Sequence, residues 1–226
     1  MSLANVDIFL KKNPTKNLQH FFSGEAKLSD IIIKYSKNIH ILPGASGVLE
    51  LTKLDAFQKK MFIDSVSQLE GKYDYLLIDT ASGIADEVLY LSSAAQEIHI
   101  VVQPDPASLT DSYALIKILN QIYKIKDFSV ITNQVLNEQE GMRIFERLNS
   151  VTSKFLNVHL DYVGHMPFDI KMRQANHKQK LIADYAPDSL SSSCLRKIAW
   201  KIDKAECVSE CHGGLQFFWN QVLNMA

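Results

Sequence analysis

The sequence is poor in cysteine: its 226 residues include only Cys194, Cys207 and Cys211, all in the last fifth of the chain. An odd and sparse set excludes a disulfide framework and suits a reducing compartment. The stretch CVSECH places Cys207, Cys211 and His212 close together, which leaves two interpretations, a metal site or thiols on or beside a helix. The second is simpler, because zinc sites require four ligands and usually have other spacings.

The chain also lacks a marked charge and any long apolar run. Its formal net charge of −1 gives no global electrostatic argument for nucleic acid or an anionic membrane, so we predict no direct nucleic-acid contact. No apolar run approaches the roughly 20 residues that a membrane span needs, and the start does not resemble a signal peptide. With 46% hydrophobic and 22% charged residues, the composition is that of an ordinary globular protein. We expect it to be cytoplasmic.

Short apolar runs alternate with longer stretches of helical period, which predicts βαβ units and an α/β fold with a mostly parallel sheet flanked by helices. The predicted strands are Asn38–Leu42, Tyr75–Asp79, Glu97–Gln103, Phe128–Asn133 and Val158–Val163. The predicted helices are Lys53–Leu69, Ile84–Ala95, Ser108–Tyr123, Glu138–Phe155, Ile170–Asn176 and Ser189–Lys204. We expect one α/β domain over residues 1–186, followed by C-terminal helices over residues 187–226.

Each predicted strand ends in a short polar turn, as at the ligand-binding edge of an open α/β sheet. The stretch YDYLLIDTASGIAD, residues 73–86, runs through an apolar strand into Asp79 and then a turn. An aspartate in this position usually serves a Mg²⁺–nucleotide site, which requires a phosphate-binding loop opposite it. Turns alone are weak evidence, because every α/β protein needs them.

A phosphate-binding loop of the form G-x-x-x-x-G-K-[ST] is absent from these 226 residues. The pair Gly44 and Gly47 is too closely spaced, lacks a lysine and follows the wrong strand. The dipeptide Gly71-Lys72 has no glycine five residues earlier, and a strand follows it. The motif that normally binds the β- and γ-phosphates is therefore missing.

Several segments together resemble the MinD/ParA family of deviant-Walker P-loop ATPases. The densest similarity runs over residues 73–117, from the Walker B strand through switch II to the next helix. The stretches FSVITNQV and VGHMPFD are similar to the late nucleotide-base loops of that family. Within the family, the similarity favours the FlhG (FleN) branch of flagellar-number regulators. The resemblance implies a P-loop NTPase-like fold, truncated here, with a C-terminal helical tail.

The resemblance also implies site residues for ATP and Mg²⁺. Asp79 corresponds to the Walker B aspartate, which holds Mg²⁺ through water, and Gly83 corresponds to the switch II glycine. Asn133 corresponds to the asparagine that hydrogen-bonds adenine, and Pro167 and Asp169 correspond to the loop that packs against the base. From the residues alone, Asp79 also suits an N-cap of the helix that begins near Ile84, and Asn133 and Pro167 also suit turns.

Family members carry three further parts before the stretch that corresponds to Leu3: a first strand, the deviant Walker A loop and a second strand with the switch I aspartate. We therefore expect negligible ATPase activity, because electrostatic stabilisation of the phosphates is the main catalytic contribution in phosphoryl transfer. In the family the first strand lies beside the Walker B strand. Without it, the resemblance implies that the sheet rearranges or that the protein is unstable alone.

The last residues, GGLQFFWNQVLNMA, resemble the C-terminal amphipathic helix of the family. Apolar residues recur there at helical spacing: Leu215, Phe218, Trp219, Val222 and Met225. The polar face has no Lys or Arg, which membrane anchors favour. Docking on the body or a partner, reversible membrane contact and disorder all remain open, so the protein is either wholly cytoplasmic or peripheral at the inner membrane.

The resemblance implies a regulator of flagellar number or placement that acts by binding partners. The implied partners are a second copy of the chain, an FlhF-like GTPase and a FleQ-like transcription regulator. We expect the helices at Asp86–Ala95 and Ala107–Lys117 to form the partner surfaces. Two alternatives remain: an active enzyme of the cobyrinic acid a,c-diamide synthase-like group, and a fragment without an independent role.

Overall fold

A computed structural model describes residues 15–43, 55–69 and 71–205. In these ranges the chain forms nine helices and five strands. They belong to two compact units. The described residues of the first unit are 15–43, 55–69, 71–82 and 86–94, and those of the second are 83–85 and 95–205.

The described residues of the first unit form four helices and a small hairpin. These are α1 (Leu18–Phe22), α2 (Leu28–Ile31), β1 (Ile33–Lys34), β2 (His40–Ile41), α3 (Ala56–Ser67) and α4 (Asp86–Ala94). The cap of α3 is Asp55, whose side chain accepts a hydrogen bond from the Gln58 N–H at 2.7 Å. Phe62 is fully buried, and its ring centroid lies 5.8 Å from that of Phe21 and 5.5 Å from that of Phe22. This aromatic cluster ties α1 to α3.

The prediction of a strand at Tyr75–Asp79 is wrong. In the part of the chain that the structure describes, residues 72–85 contain neither helix nor strand. Leu77 is 85% exposed although its pattern is that of a buried strand. A strand exists only where a neighbouring chain pairs with its backbone N–H and C=O groups. The apolar pattern supplies the side chains of a strand but no pairing partner, so the segment stays irregular.

The second unit is built around a parallel sheet. Its elements are β3 (His99–Val102), α5 (Pro106–Tyr123), β4 (Asp127–Val135), α6 (Glu138–Phe155), β5 (His159–Pro167), α7 (Ile170–His177), α8 (Ile182–Tyr185) and α9 (Leu190–Lys204). The described strands have the order β3-β4-β5, and both pairs are parallel. The long helices start at side chains that cap them: Asp105 accepts from the Ser108 N–H, and Asn137 from the Glu140 N–H, both at 2.9 Å.

Helices cover both faces of this sheet. Ile131 packs with the cluster of Val163, Met166, Cys194 and Ile198, which joins β4 and β5 to α9. The next residue, Thr132, faces α6, because neighbouring residues in a strand point to opposite faces. Gly164 lets α9 approach closely, since a Cβ atom at this position would lie 3.0 Å from Cγ1 of Ile198.

The predicted α/β fold with a parallel sheet flanked by helices is confirmed. The helix predicted at Glu138–Phe155 has those bounds in the structure, and the other long helices agree within three residues over the described part of the chain. The strand predicted at Asn38–Leu42 is reduced to His40–Ile41 and pairs antiparallel with β1. The domain boundary after residue 186 stays a prediction.

Candidate nucleotide-base site

The carboxyl ends of β4 and β5 bring three predicted site residues to one edge of the sheet. Asn133 lies opposite Met166, and Val135 lies opposite Pro167. The Phe168 N–H then donates a hydrogen bond to the Val135 carbonyl at 2.8 Å, which joins the two loops that follow the strands. Asn133, Pro167 and Asp169 therefore share the carboxyl edge of one strand pair, which is where open α/β sheets bind ligands.

Asn133 is held at this edge by an irregularity in β4. The register shifts between Asn133 and Val135, and Gln134 has φ of 58°, in the left-handed region. The Asn133 Oδ1 accepts a hydrogen bond from the Gln134 N–H at 2.9 Å. This bond orients the half-buried side chain and leaves its amide group available to donate. Such bulges commonly re-aim a side chain next to a site.

A polar pair lies under the edge, between the sheet and α6. The hydroxyls of Thr132 and Tyr162 are 3.1 Å apart, and Thr132 is fully buried. Burial raises the pKa of Tyr162, while its hydrogen bond to Thr132 acts in the opposite direction and the nearby Glu138 adds to the increase. Tyr162 therefore stays a neutral phenol that serves packing and hydrogen bonding at neutral pH.

Gly141 explains how α6 comes this close to the polar pair. A Cβ atom on Gly141 would lie 2.6 Å from Oγ1 of Thr132, 2.6 Å from the Tyr162 hydroxyl and 3.1 Å from Cβ of His165. Any larger residue would push the helix away from the sheet. Neither this glycine nor the Thr132–Tyr162 pair is in the set of site residues predicted from the sequence, because each depends on a contact between distant segments.

Asp169 has a structural role that the sequence did not reveal. Its Oδ1 accepts from the Lys171 N–H at 2.8 Å and caps α7, and its Oδ2 accepts from the Ser191 N–H at 3.4 Å in the first turn of α9. Burial opposes ionisation of this carboxyl, but the hydrogen bonds from Lys171 and Ser191 and the charge of Lys171 bring its pKa below the ordinary value. Asp169 thus fixes the loop after β5 to two helices.

Exposed apolar side chains also lie at this edge. Leu136, directly after β4, is 77% exposed, and Phe168, between Pro167 and Asp169, is 66% exposed. The hydrogen bond from the Phe168 N–H to Val135 connects the two loops that carry them. Sequence reasoning missed both residues. The available signal was the aromatic residue between Pro167 and Asp169, at a turn where a buried role was not expected.

Asp79 and Gly83 occupy other positions in the chain. Asp79 is exposed and belongs to the irregular segment of the first unit, not to a strand end. Gly83 belongs to the second unit and has φ of +96°, a conformation that side chains rarely adopt, so this turn favours glycine. Among the described residues, no three His, Cys, Asp or Glu side chains form a metal-binding group.

Other predicted residues lie outside the described part of the chain. These are Gly44, Gly47, the CVSECH stretch from Cys207 to His212, and the tail residues Leu215, Phe218, Trp219, Val222 and Met225. Within the described residues, no helix is both long enough and apolar enough to cross a membrane.

Comparison with known proteins identifies the family. The family model ParA, described as NUBPL iron-transfer P-loop NTPase, matches residues 56–203. The chain is 36% identical over 218 residues to Antiactivator FleN of Pseudomonas aeruginosa, which covers 96% of this chain and 78% of that protein. It is 31% identical over 202 residues to Flagellum site-determining protein YlxH of Helicobacter pylori, covering 88% of this chain and 67% of that protein.

Solved structures show the same fold. The septum site-determining protein MinD from Pyrococcus horikoshii, complexed with Mg-ADP, superposes with a TM-score of 0.65 at 23% identity, over 89% of this chain and 79% of that one. The MinC:MinD cell division protein complex of Aquifex aeolicus gives 0.66 at 17% identity, over 93% and 83%. These identities support the fold alone, whereas the family model and the more similar sequences support membership. The chain belongs to the ParA/MinD family of P-loop NTPases.

Proposed function

We propose that this chain is a MinD/ParA-type regulator of flagellar number or placement that acts by binding partners. The observation that carries the proposal is the 36% identity to Antiactivator FleN over 96% of the chain. The 31% identity to Flagellum site-determining protein YlxH supports the same assignment. Among the described residues, nothing specific favours the alternative of a cobyrinic acid a,c-diamide synthase-like enzyme.

The carboxyl edge of β4 and β5 is proposed to bind the base of a nucleotide. Asn133 offers an amide for hydrogen bonds, and the exposed Phe168 offers apolar contact next to the buried Pro167. These residues fit an adenine base, which needs polar partners at its edge and apolar ones at its faces. Asp169 is proposed to act by holding this loop in place through Lys171 and Ser191.

Following the family resemblance, Asp79 is proposed to serve Mg²⁺ and Gly83 is proposed to serve a phosphate, each considered within its own unit. A carboxylate is the hard oxygen ligand that Mg²⁺ prefers. Asp79 is exposed and lies in an irregular segment, outside the described helices and strands. Bound Mg²⁺ would neutralise phosphate charge. The 226 residues contain no G-x-x-x-x-G-K-[ST] stretch. Because loss of one arginine-finger-class charge alone costs about 10³-fold or more, we expect this chain to hydrolyse ATP at least about 10³-fold more slowly than a relative that carries the stretch.

The proposed partners are a second copy of the chain, an FlhF-like GTPase and a FleQ-like transcription regulator. The MinC:MinD complex of Aquifex aeolicus is an instance of a family fold that binds another protein. The surfaces proposed for partners are α4, with Asp86 and Glu87 in its first turn, and the first part of α5.

A cellular test addresses the regulatory role. The chain is expressed in a polarly flagellated bacterium whose own FleN-type gene is deleted, and flagella are counted by electron microscopy. We expect the flagellar number to return towards that of the parent strain. An unchanged number, with the chain present at normal abundance, would contradict the proposal.

A binding test addresses the site separately. Calorimetric titration with Mg-ATP and Mg-ADP is compared for the wild type, Asn133→Ala and the control Asn149→Ala, which lies on α6. Loss of a hydrogen bond to the base should weaken binding about 3- to 10-fold in Asn133→Ala and leave Asn149→Ala unchanged. Equal affinities for all three proteins would exclude Asn133 from the site.

A further inference from the structure

The outer face of α9 carries four cations and an exposed tryptophan in one row. Arg196, Lys197, Trp200, Lys201 and Lys204 recur at spacings of three and four residues, which places them on one side of a helix. We call this set the cationic stripe. All five residues are exposed, and the Trp200 side chain is 63% exposed. The opposite side of α9 is buried through Cys194 and Ile198.

Two of the four cations are fixed to the body of the second unit. Arg196 Nη1 donates to the Pro187 carbonyl at 2.9 Å, and Lys201 Nζ donates to the Tyr162 carbonyl at 3.4 Å. The single acidic residue of α9, Asp203, lies beside the stripe with an oxygen 3.9 Å from Lys204 Nζ. The face therefore has an excess of positive charge, and the buried Cys194 and Ile198 on the opposite side of α9 orient it towards solvent.

Trp200 lies between these cations rather than in a packed environment. A shallow depression of about 430 Å³ on this face is lined by Trp200 together with Ser193, Arg196, Lys197 and Lys201. A large exposed indole costs solvation free energy unless another surface covers it. Exposed tryptophan with surrounding lysine and arginine is the composition of protein surfaces that contact the lipid headgroup region.

We propose that the cationic stripe of α9 binds the surface of a membrane rich in anionic lipid. The four cations complement the headgroup phosphates, and the indole of Trp200 enters the interfacial region where amphipathic rings are favoured. Charge complementarity alone would also suit duplex nucleic acid. A helix lying along a phosphate backbone, however, offers an exposed indole no apolar environment, so Trp200 decides in favour of lipid. This site is separate from the tail residues 215–225 and from the proposed nucleotide site.

The test uses the full 226-residue chain and co-sedimentation with vesicles. Vesicles of phosphatidylcholine mixed with phosphatidylglycerol are compared with vesicles of phosphatidylcholine alone. The variant Lys197→Glu/Lys204→Glu reverses the charge of two residues of the stripe. Arg196 and Lys201 are left unchanged because each donates a hydrogen bond to a backbone carbonyl. The matched control, Arg143→Glu/Arg147→Glu, makes the same change in net charge on exposed positions of α6. Far-UV circular dichroism verifies that each variant is folded.

We expect the wild type and the α6 control to bind the anionic vesicles at low salt. Each cation near such a surface contributes about fivefold to partitioning, so the stripe variant should bind at least about 25-fold more weakly. Trp200→Ala should weaken binding several-fold with the charge unchanged. Binding to phosphatidylcholine alone should be the same for the wild type and the two charge variants, because these variants change only the attraction to anionic headgroups.

Four results would overturn the proposal. The first is that the wild type does not bind the anionic vesicles, and the second is that the stripe variant binds them as well as the wild type does. The third is that the α6 control loses as much binding as the stripe variant. The second of these results would assign membrane contact to another segment. The fourth is that random-sequence duplex DNA binds in a stripe-dependent manner and displaces the vesicles, which would identify a nucleic-acid surface.

Discussion

The close contact at Gly141 makes a specific prediction about stability. In Gly141→Ala, the new methyl group would lie 2.6 Å from both the Thr132 and the Tyr162 hydroxyl oxygens and 3.1 Å from Cβ of His165. Thr132 is fully buried, and the Tyr162 ring is held against Phe145 with the centroids 5.2 Å apart. The neighbours cannot simply move aside, so α6 must shift from β4 and β5.

The magnitude follows from three contributions to the free energy of unfolding. Overpacking of a well-packed site costs about 1–3 kcal/mol, and loss of the Thr132–Tyr162 hydrogen bond costs about 1 kcal/mol. Replacing glycine by alanine inside a helix returns about 1 kcal/mol. We therefore expect Gly141→Ala to lower the free energy of unfolding by about 1–3 kcal/mol, although helix propensity alone would predict a stabilised protein.

Urea denaturation followed by far-UV circular dichroism measures this change. In a Tyr162→Phe background one of the two short contacts disappears, so Gly141→Ala should cost less there by about 0.5–1 kcal/mol. Ser150→Ala, on the exposed side of the same helix, serves as the control and should change stability by less than about 0.5 kcal/mol. A stabilised Gly141→Ala protein, or equal costs in both backgrounds, would refute the contact as described.

Three further predictions concern other parts of the chain. Asp169→Asn should lower the free energy of unfolding by about 1 kcal/mol near neutral pH. Because the folded-state pKa of Asp169 is depressed, the stabilisation by its carboxylate is present above about pH 4 and is lost as pH falls further. Unfolding free energies measured as a function of pH should therefore become equal for the two proteins in acid. Burial raises the pKa of the Cys194 thiol, with Lys197 opposing and Glu138 adding to the increase. Alkylation, followed by peptide mass spectrometry, should therefore modify Cys194 far more slowly in the folded than in the urea-unfolded chain. Equal rates of alkylation would contradict the burial of Cys194. Phe62→Ala should destabilise the first unit by about 3–5 kcal/mol, seen as loss of helical signal at lower urea, whereas the exposed Phe57→Ala should have little effect.

The three paired strands of the second unit and all of its helices except the short α8 were predicted, because their signals are local. Side-chain caps such as Asp105 and Asn137 lie next to the helices they start, and the apolar period of α6 identified its whole length. The edge carrying Asn133, Pro167 and Asp169 was also predicted as a group, since parallel strands connected by helices end at the same edge.

The failure at Tyr75–Asp79 shows where local patterns stop. The segment has the apolar residues of a buried strand, yet Leu77 is 85% exposed and the described backbone is irregular. Strand formation depends on hydrogen bonds to another segment, and the sequence of one strand does not state whether that partner is in place. The same reasoning applies to Asp79, whose predicted position at a strand end depended on that strand.

The amino-acid sequence by itself determined the α/β class, the family resemblance and the order of the site-bearing loops, because periodicity, caps and motif residues act within a few positions of each other. Only the tertiary structure decided that Asp169 joins α7 to α9 and that Gly141 allows α6 to pack closely against Thr132 and Tyr162. It also decided that Trp200 is exposed to solvent among cations. Each of these facts is a contact, or an exposure, set by packing between segments far apart in the chain, and such packing leaves no local pattern to read.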